Sequence, residues 1–369
     1  MNTNIDDFRK NLSQEEKNLF DKILQGETRR RHRELIEHYE KDQKHLEIVN
    51  FCANFFTFGQ PLEKETGYAL ALVEPLYSIG VKNFDLGFFK SQNSSLILAE
   101  CKSSVSDFSK LVGDLKDAIY ATNERKVDIE KALGNRINDP IEFALCLPAV
   151  EANDAYKQVV KMQIPVCVWA ASQFDGKMKC FTTSEDTTAE IKAGRLHRDG
   201  KLDSLLGHGI VSRDRAIRPI SILPSSHICT LLVHVSGLIY RESRVTSKYL
   251  EFQYSDIFTI LDYELARMTN LSERDFEKLT TNILEVGLRK GIFVDLNPDV
   301  PEITRKIFSI SGRKTNFDVI KRSIEEIYIE HNAAEKAKSD AVGQFRKQTG
   351  VTTLNSFDHN INGNQHNPN

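Results

Sequence analysis

The spacing of apolar residues along the chain predicts two kinds of structure. In the first sixty residues, apolar positions recur at helical spacing among many charges, which predicts helices over about 14–24 and 27–56. From residue 68 onward, short apolar runs alternate with amphipathic stretches, which is typical of a mixed α/β layer. The elements predicted there are a helix at 68–78, strands at 81–89 and 96–102, helices at 106–122 and 125–133, a strand at 141–147, a helix at 153–162, and strands at 164–170 and 177–182.

Changes in composition divide the rest of the chain. Residues 184–225 are polar and rich in Gly and Arg, so they are predicted to connect two domains. Helical periodicity then returns, with helices near 226–240, 255–268 and 272–289, strands at 292–294 and 306–310, and a closing helix at 316–345. The predicted organisation is an N-terminal helical region at 1–59, an α/β core at 60–183, the connection, a mainly helical domain at 226–350, and a disordered tail at 351–369.

Composition and hydropathy narrow the class of protein. Of the 369 residues, 40% are hydrophobic and 27% are charged, which is ordinary for a globular chain and excludes a wholly disordered, collagenous or coiled-coil protein. No apolar run approaches the ~18–20 residues that cross a bilayer, so we expect a soluble, cytoplasmic protein with no membrane partner. The six cysteines lack zinc-site spacing and are predicted to be reduced thiols in the core.

The small net charge of −3 conceals a difference between the two halves of the chain. Residues 1–190 hold 24 Lys and Arg residues against 30 Asp and Glu residues, whereas residues 191–369 hold 25 against 22. A surface that binds phosphate is therefore expected in the second half.

The predicted hairpin carries the strongest candidate chemistry. If its turn closes symmetrically, Phe89 faces Leu96, and counting back places Asp85 directly opposite Glu100. Two like charges facing each other across an antiparallel pair are destabilising unless something compensates them, and a hard divalent cation is the natural compensation. The alternation of a strand puts Asp85, Glu100 and Lys102 on one face, and puts Phe84, Leu86, Phe88, Ile97, Ala99 and Cys101 on the core face.

Lys102 adds a further function to this pair. Its ammonium group can orient an attacking water, help to deprotonate it, or stabilise charge that develops on phosphorus, while a metal ion lowers the pKa of the water. Together the three side chains are suited to hydrolysing a phosphodiester. The alternative is a structural one, in which an exposed hairpin face carries a Glu–Lys ion pair; the apolar neighbours at 96–99 argue against it.

Asp85, followed after fourteen residues by Glu100-Cys101-Lys102, resembles the PD-(D/E)XK nuclease superfamily, which includes most type II restriction endonucleases. The resemblance covers about residues 60–183 and departs from the pattern where Asn83-Phe84, rather than Pro, precedes the Asp. It implies a restriction-endonuclease-like fold, catalytic roles for Asp85, Glu100 and Lys102, and a Mg²⁺ ion, which Mn²⁺ can replace. The metal ligands that it implies are Asp85, Glu100 and Cys101.

Members of this superfamily usually add a carboxylate from the helix before the hairpin. Glu74, on the predicted helix 68–78, is the first candidate for this third catalytic carboxylate. Glu65 and Glu63 are alternatives, because Pro75 restricts the backbone of Glu74.

The C-terminal domain offers a candidate surface for DNA. Ser272-Glu273-Arg274-Asp275 resembles a capping box at the start of a helix with an apolar face, and two strands follow this helix. The whole resembles a winged helix-turn-helix, a module that often places one helix in the major groove; a structural or protein-docking role stays open. The predicted DNA-binding residues are Arg274, Lys278, Thr281, Asn282, Arg289, Arg305, Lys306, Arg313 and Lys314.

These features together predict a metal-dependent endonuclease that cleaves double-stranded DNA. A type II restriction enzyme or another genome-defence nuclease is the leading interpretation, and a homodimer is expected because duplex cleavage needs two active sites. A transposon-encoded or repair endonuclease that acts with partner proteins is the second interpretation. A catalytically silent DNA-binding protein of the same fold is the third.

Overall fold

The computed structural model describes residues 5–181, 194–212, 220–246, 250–265, 271–310 and 316–350. The chain forms two compact units. One comprises the residues up to His38 together with those from Glu325 onward, and the other comprises Tyr39–Ile324. None of the described helices is long and apolar enough to cross a membrane.

The larger unit contains a mixed sheet flanked by helices. Its described residues form seven strands in the order β1-β2-β3-β4-β5-β6-β7. The pairs β3–β4 and β4–β5 are parallel, and the other neighbouring pairs are antiparallel. The strands are β1 (Tyr68–Val73), β2 (Leu86–Lys90), β3 (Ser95–Cys101), β4 (Glu142–Pro148), β5 (Val166–Ser172), β6 (Lys177–Cys180) and β7 (Ile210–Val211).

Helices cover both faces of this sheet. On one face, the part of α2 that follows Tyr39 packs with α7 over Leu86, Phe88 and other apolar side chains. On the other face, α4, α5 and α6 pack over a second apolar cluster that includes Leu96 and Leu98. Apolar residues therefore pack on both sides of β3, which agrees with the expectation that the hairpin face is not an exposed one. The helices are α2 (Gln14–Asn54), α3 (Pro61–Thr66), α4 (Phe108–Glu124), α5 (Lys126–Leu133), α6 (Ala149–Lys161) and α7 (Gly200–His208).

The predicted helix at 68–78 is wrong, because this segment forms strand β1 followed by a short 3-10 turn at Tyr77–Ile79. The periodicity of a short apolar run does not distinguish a buried strand from a helix. Here the segment is a strand because it pairs with β2. Strand β2 also begins later than predicted, at Leu86 instead of residue 81. Gly87 lets β1 and β3 side chains approach closely, since a Cβ there would lie 2.9 Å from the Cβ of Leu72.

The segment predicted as an interdomain connection contributes to the sheet instead. Helix α7 begins at Asp199, whose side chain accepts hydrogen bonds from the backbone of Lys201 and Leu202. Leu202 and Leu206 are buried in the cluster under α2, and β7 extends the sheet beyond β6. The polar composition of 184–225 favoured a connecting loop, although this segment contains an amphipathic helix. Residues 182–193 and 213–219 lie outside the described residues.

The rest of the larger unit is mainly helical. It contains α8 (Ile228–Thr246), β8 (Glu251–Gln253), α9 (Tyr254–Leu265), α10 (Glu273–Arg289), β9 (Phe293–Asp295) and β10 (Ile307–Ile310). The three short strands form a second sheet in the order β8-β10-β9, and β8 was not predicted from the sequence. The capping box at Ser272 and Asp275 is confirmed.

The smaller unit consists of helices from both ends of the chain. They are α1 (Ile5–Lys10), the first part of α2, and the part of α11 (Phe317–Thr349) that follows Glu325. Phe8, Phe20 and Phe345 form its core, with ring centroids 5.2–5.8 Å apart. The closing helix was predicted, but its packing on the N-terminal helices was not. The predicted disordered tail lies outside the described residues.

Candidate active site

The hairpin of β2 and β3 brings the two predicted carboxylates near enough for the charge of Asp85 to act on Glu100. Phe89 pairs with Leu96, as the sequence predicted, and the register runs on to Leu86 opposite Ala99. Asp85 directly precedes β2, and Glu100 follows Ala99 on β3. Phe84 does not share the core face with Leu86 as predicted; it packs in the cluster under α4, because the regular strand begins only at Leu86.

Asp85 is a buried carboxylate with two direct partners. Its Oδ2 accepts a 2.6 Å hydrogen bond from the backbone N–H of Cys101, and its Oδ1 lies 3.2 Å from Nε2 of His45 on α2. Burial alone would raise the pKa of Asp85, but the hydrogen bond from His45 and the charge of Lys102 outweigh burial and lower the pKa. For His45, burial works to lower the pKa, and the contact with Asp85 raises it overall. The contact therefore favours the ionised carboxylate of Asp85 and the protonated imidazolium of His45.

Glu100 and Lys102 form an ion pair on the neighbouring strand. Burial and then the negative charge of Asp85 raise the pKa of Glu100 to about 7. Burial works to lower the pKa of Lys102, but the charges of Glu100 and Asp85 outweigh it, so the pKa of Lys102 lies above its ordinary value. Glu100 therefore exchanges its proton near neutral pH, while the ammonium group of Lys102 stays charged.

Glu74 is the candidate third carboxylate that the fold brings closest to Asp85. It follows β1 and adopts a left-handed backbone conformation, with a φ of 44°, and its N–H donates to the backbone oxygen of Asp85 at 2.9 Å. The carboxylate accepts hydrogen bonds from both the backbone N–H, at 2.9 Å, and the hydroxyl of Ser225. Burial raises the pKa of Glu74 to about 7. Glu74 thus has the predicted location next to the hairpin, although it lies after a strand and not on a helix.

The two alternatives to Glu74 have other contacts. Glu63 accepts a 2.9 Å hydrogen bond from the N–H of Gly59, which caps the preceding turn. Glu65 is exposed and pairs with Lys201 at 2.9 Å. Neither acid contacts the hairpin in these interactions, so the geometry favours Glu74.

A cavity of about 230 Å³ opens beside Glu100 and Lys102, between the hairpin and α4. Lys82 lines it and is held by Asp114 at 2.5 Å and Asp117 at 2.9 Å. Asn83 also lines it; its Oδ1 accepts backbone hydrogen bonds, while its buried Nδ2 has no partner among the described residues. Glu100 and Asp114 line it too, so the cavity is of mixed charge: its two ammonium groups are each paired with carboxylates, and Nδ2 of Asn83 is its unsatisfied donor.

Asp85 and Glu100 offer the carboxylate oxygens that Mg²⁺ prefers, and Mg²⁺ is commonly held by one or two protein carboxylates with water and phosphate. In the structure Lys102 pairs with Glu100, His45 contacts Oδ1 of Asp85, and the N–H of Cys101 donates to its Oδ2. The two carboxylates therefore fit a hard divalent cation once some of these contacts are released. The thiol of Cys101 faces the opposite core, so any part that this residue plays in holding the ion falls to its backbone.

Four of the predicted DNA-binding residues lie together. Arg274, Lys278, Thr281 and Asn282 line a cleft of about 900 Å³ between α10 and the turn at Tyr77–Ile79. Asp275, Glu277 and Glu285 line the same cleft, so its charge is mixed, with three acidic residues against the two basic residues Arg274 and Lys278. The 3-10 turn begins three residues after Glu74, which brings this face of α10 toward the candidate active site.

The other predicted DNA-binding residues are not gathered in the same way. Arg289 is exposed at the end of α10, and Arg305 pairs with Glu302 at 2.7 Å. Lys306 is mostly buried and forms an ion pair with Asp295 that joins β9 to β10. Arg313 and Lys314 lie outside the described residues.

Three residues of the site were missed from the sequence. His45, Lys82 and Ser225 reach it from α2, from the segment before β2, and from the segment before α8. His45 and Ser225 are distant in sequence, and no local motif marks them. Lys82 had a weak signal, because it lies three residues before Asp85.

No protein-family model matches the chain, and neither curated proteins nor solved structures give a significant match.

Proposed function

We propose that the chain is a Mg²⁺-dependent endonuclease of the PD-(D/E)XK type that hydrolyses phosphodiester bonds in double-stranded DNA. A type II restriction enzyme or another genome-defence nuclease is the specific form that we favour. The observation that carries the proposal is the hairpin geometry: the charge of Asp85 acts on Glu100, Lys102 contacts Glu100, and a cavity opens next to Glu100 and Lys102.

The electrostatics of the pair support a cation site. Burial and then repulsion by Asp85 raise the pKa of Glu100 to about 7, so ionising both carboxylates is costly in the metal-free protein. A cation between them would favour the ionised form of both. Bound Mg²⁺, or Mn²⁺ in its place, supplies a water of lowered pKa and polarises the phosphodiester.

The chain's own residues then have distinct functions. Lys102 carries a permanent positive charge and, once released from Glu100, can orient water or stabilise negative charge on the phosphate. Lys82 and Nδ2 of Asn83 can hold other phosphate oxygens in the cavity. His45 touches Asp85 and acts as a positioning residue, which holds the carboxylate in one orientation.

The C-terminal part of the larger unit supports a function in selecting DNA. Its order α8-β8-α9-α10-β9-β10, with a sheet ordered β8-β10-β9, is the arrangement expected of a winged helix. Helix α10 would then be the recognition helix, and Arg274, Lys278 and Asn282 on its exposed side can reach base edges or phosphates. A homodimer would place two such sites on one duplex.

A cleavage experiment tests the proposal. Methylated and unmethylated supercoiled plasmids are incubated with the protein in Mg²⁺, Mn²⁺ or EDTA, and any new ends are sequenced. We expect cleavage in Mg²⁺ and Mn²⁺, none in EDTA, and none in Asp85→Asn, Glu100→Gln or Lys102→Ala. Glu65→Gln and Lys157→Ala are matched controls, since both residues are exposed and lie outside the site. Wild-type turnover in any of the three site variants would exclude the assigned site.

The same experiment separates the alternatives. Discrete ends at one short sequence support a restriction enzyme. Cleavage that needs branched DNA or added partner proteins supports a transposon-encoded or repair endonuclease. Binding to DNA with no cleavage in either metal supports a catalytically silent protein.

A further inference from the structure

Three thiols form a compact cluster behind the candidate active site. Cys52 on α2, Cys101 at the end of β3 and Cys146 on β4 are completely buried, and their sulphur atoms all lie within 4.8 Å of one another. Strands β3 and β4 are parallel, and Cys101 pairs with Cys146 in their register. Among the described residues, this is the only set of three or more His, Cys, Asp or Glu side chains whose ligand atoms converge so closely.

We propose that Cys52, Cys101 and Cys146 form a binding site for one thiophilic divalent metal ion, of the Zn²⁺ class. An ion at the centre of three sulphur atoms that lie no more than 4.8 Å apart would be at most about 2.8 Å from each of them, and a contraction of up to about 0.5 Å gives the usual Zn–S distance of about 2.3 Å. The three ligands come from a helix and two strands, so small movements of their side chains can supply this contraction.

The chemistry of the ligands selects the class of ion. Thiolates are soft ligands that favour zinc or copper(I) over Mg²⁺, which prefers oxygen. Three thiolates around a divalent ion leave one negative charge, whereas a monovalent ion would leave two. Because the cluster is sealed in an apolar core, the smaller residual charge is the less costly one.

The thiol site uses different side chains from the proposed Mg²⁺ site, although the two adjoin where the N–H of Cys101 donates to Asp85. Side chains alternate along β3, so Cys101 faces the core under α2 while Glu100 and Lys102 face the cavity beside α4. The proposal therefore does not depend on nuclease activity. It does predict how the ion is acquired: the fully buried thiols have no contact with solvent, so the ion is bound while the chain folds.

Metal content tests the proposal without any assay of cleavage. The full-length protein is produced in cells supplied with Zn²⁺ or, in parallel, Cd²⁺, purified without chelators, and analysed by mass spectrometry of the elements. We expect about one ion per chain, and a thiolate-to-metal charge-transfer band in the cadmium form. The metal content of each of the variants Cys52→Ala, Cys101→Ala and Cys146→Ala should be at least about tenfold lower than that of the wild type. Cys180→Ala is the matched control, because Cys180 is buried in the same core but does not belong to the cluster.

A second measurement on the wild-type protein covers the case in which the variants do not fold. X-ray absorption of the zinc form should show three sulphur ligands at about 2.3 Å, with or without one lighter ligand. A wild-type protein without metal, a first shell dominated by nitrogen or oxygen, or metal that persists in all three folded variants would overturn the proposal.

Discussion

Replacing Glu74 by Gln should stabilise the metal-free protein, and more strongly as the pH rises. Glu74 is only 7% exposed, and burial raises its pKa from 4.5 to about 7. Gln keeps the shape of the side chain and can still bond to the N–H and hydroxyl of Ser225. The substitution therefore removes the cost of a buried charge and little else.

The magnitude follows from the two pKa values. Below pH 4.5 the carboxyl group is protonated in both the folded and the unfolded chain, so it contributes nothing. Between pH 4.5 and about 7 the unfolded chain loses this proton while the folded chain keeps it, so wild-type stability falls as the pH rises. The resulting penalty is about 1 kcal/mol at pH 5 and about 3 kcal/mol at pH 8.

Urea denaturation in EDTA at pH 5 and pH 8 measures this difference. Fluorescence of the single tryptophan, Trp169, reports on the correct unit because this side chain is fully buried in the core under α2. The gap between Glu74→Gln and wild type should widen by about 2 kcal/mol from pH 5 to pH 8. Glu65→Gln is the control, since Glu65 is exposed and its effect should be small at both pH values. If the difference in unfolding free energy between Glu74→Gln and wild type were the same at both pH values, the raised pKa of this buried carboxyl group would be refuted.

Three further predictions concern the metal site, the DNA contacts and the sheet. His45→Gln should lower the apparent affinity for Mg²⁺ or the cleavage rate about 10–100-fold in a metal titration, whereas His38→Gln, at an exposed position on the same helix, should change neither. Asn282→Ala should lose ~1–3 kcal/mol of discrimination between bases, with an unchanged salt dependence of DNA affinity. Lys278→Ala should instead reduce the slope of log affinity against log salt concentration by about one and leave the sequence preference unchanged. Gly87→Ala should cost ~1–3 kcal/mol in a urea titration, because the added Cβ has no room between β1 and β3.

The local sequence pattern was sufficient to predict structure where neighbouring residues along the chain determine the contacts themselves. The β2–β3 hairpin is such a case, because a short turn and the alternation of apolar residues fix which residues face each other. This is why Asp85, Glu100 and Lys102 could be placed together from the sequence. The capping box at Ser272 is a second case, since its four residues specify their own hydrogen bonds.

The sequence pattern did not predict the structure where contacts between distant segments determine the conformation or the partner of a residue. The apolar run at β1 has no distinctive period, and only its pairing with β2 makes it a strand. His45 reaches Asp85 because the part of α2 that follows Tyr39 packs on the sheet, and no local signal in the sequence indicates that contact. Lys306 appeared in the sequence as one of many basic residues, and its ion pair with Asp295 exists only once β9 and β10 are adjacent.

Helix α2 and strand β3 explain why the candidate active site and the thiol cluster lie so close together. His45 and Cys52 are seven residues apart, which is two helical turns, so α2 presents both on one face. That face meets the end of β3, where His45 contacts Asp85 and Cys52 approaches Cys101. The N–H of Cys101 also donates to Asp85, so the backbone of this one residue links the carboxylate to the strand that carries Glu100 and Lys102. The thiol of Cys101 thus lies close to those of Cys52 and Cys146, and its backbone N–H is bound by Asp85. A larger side chain at this position would push α2 away from the sheet and would separate His45 from Asp85.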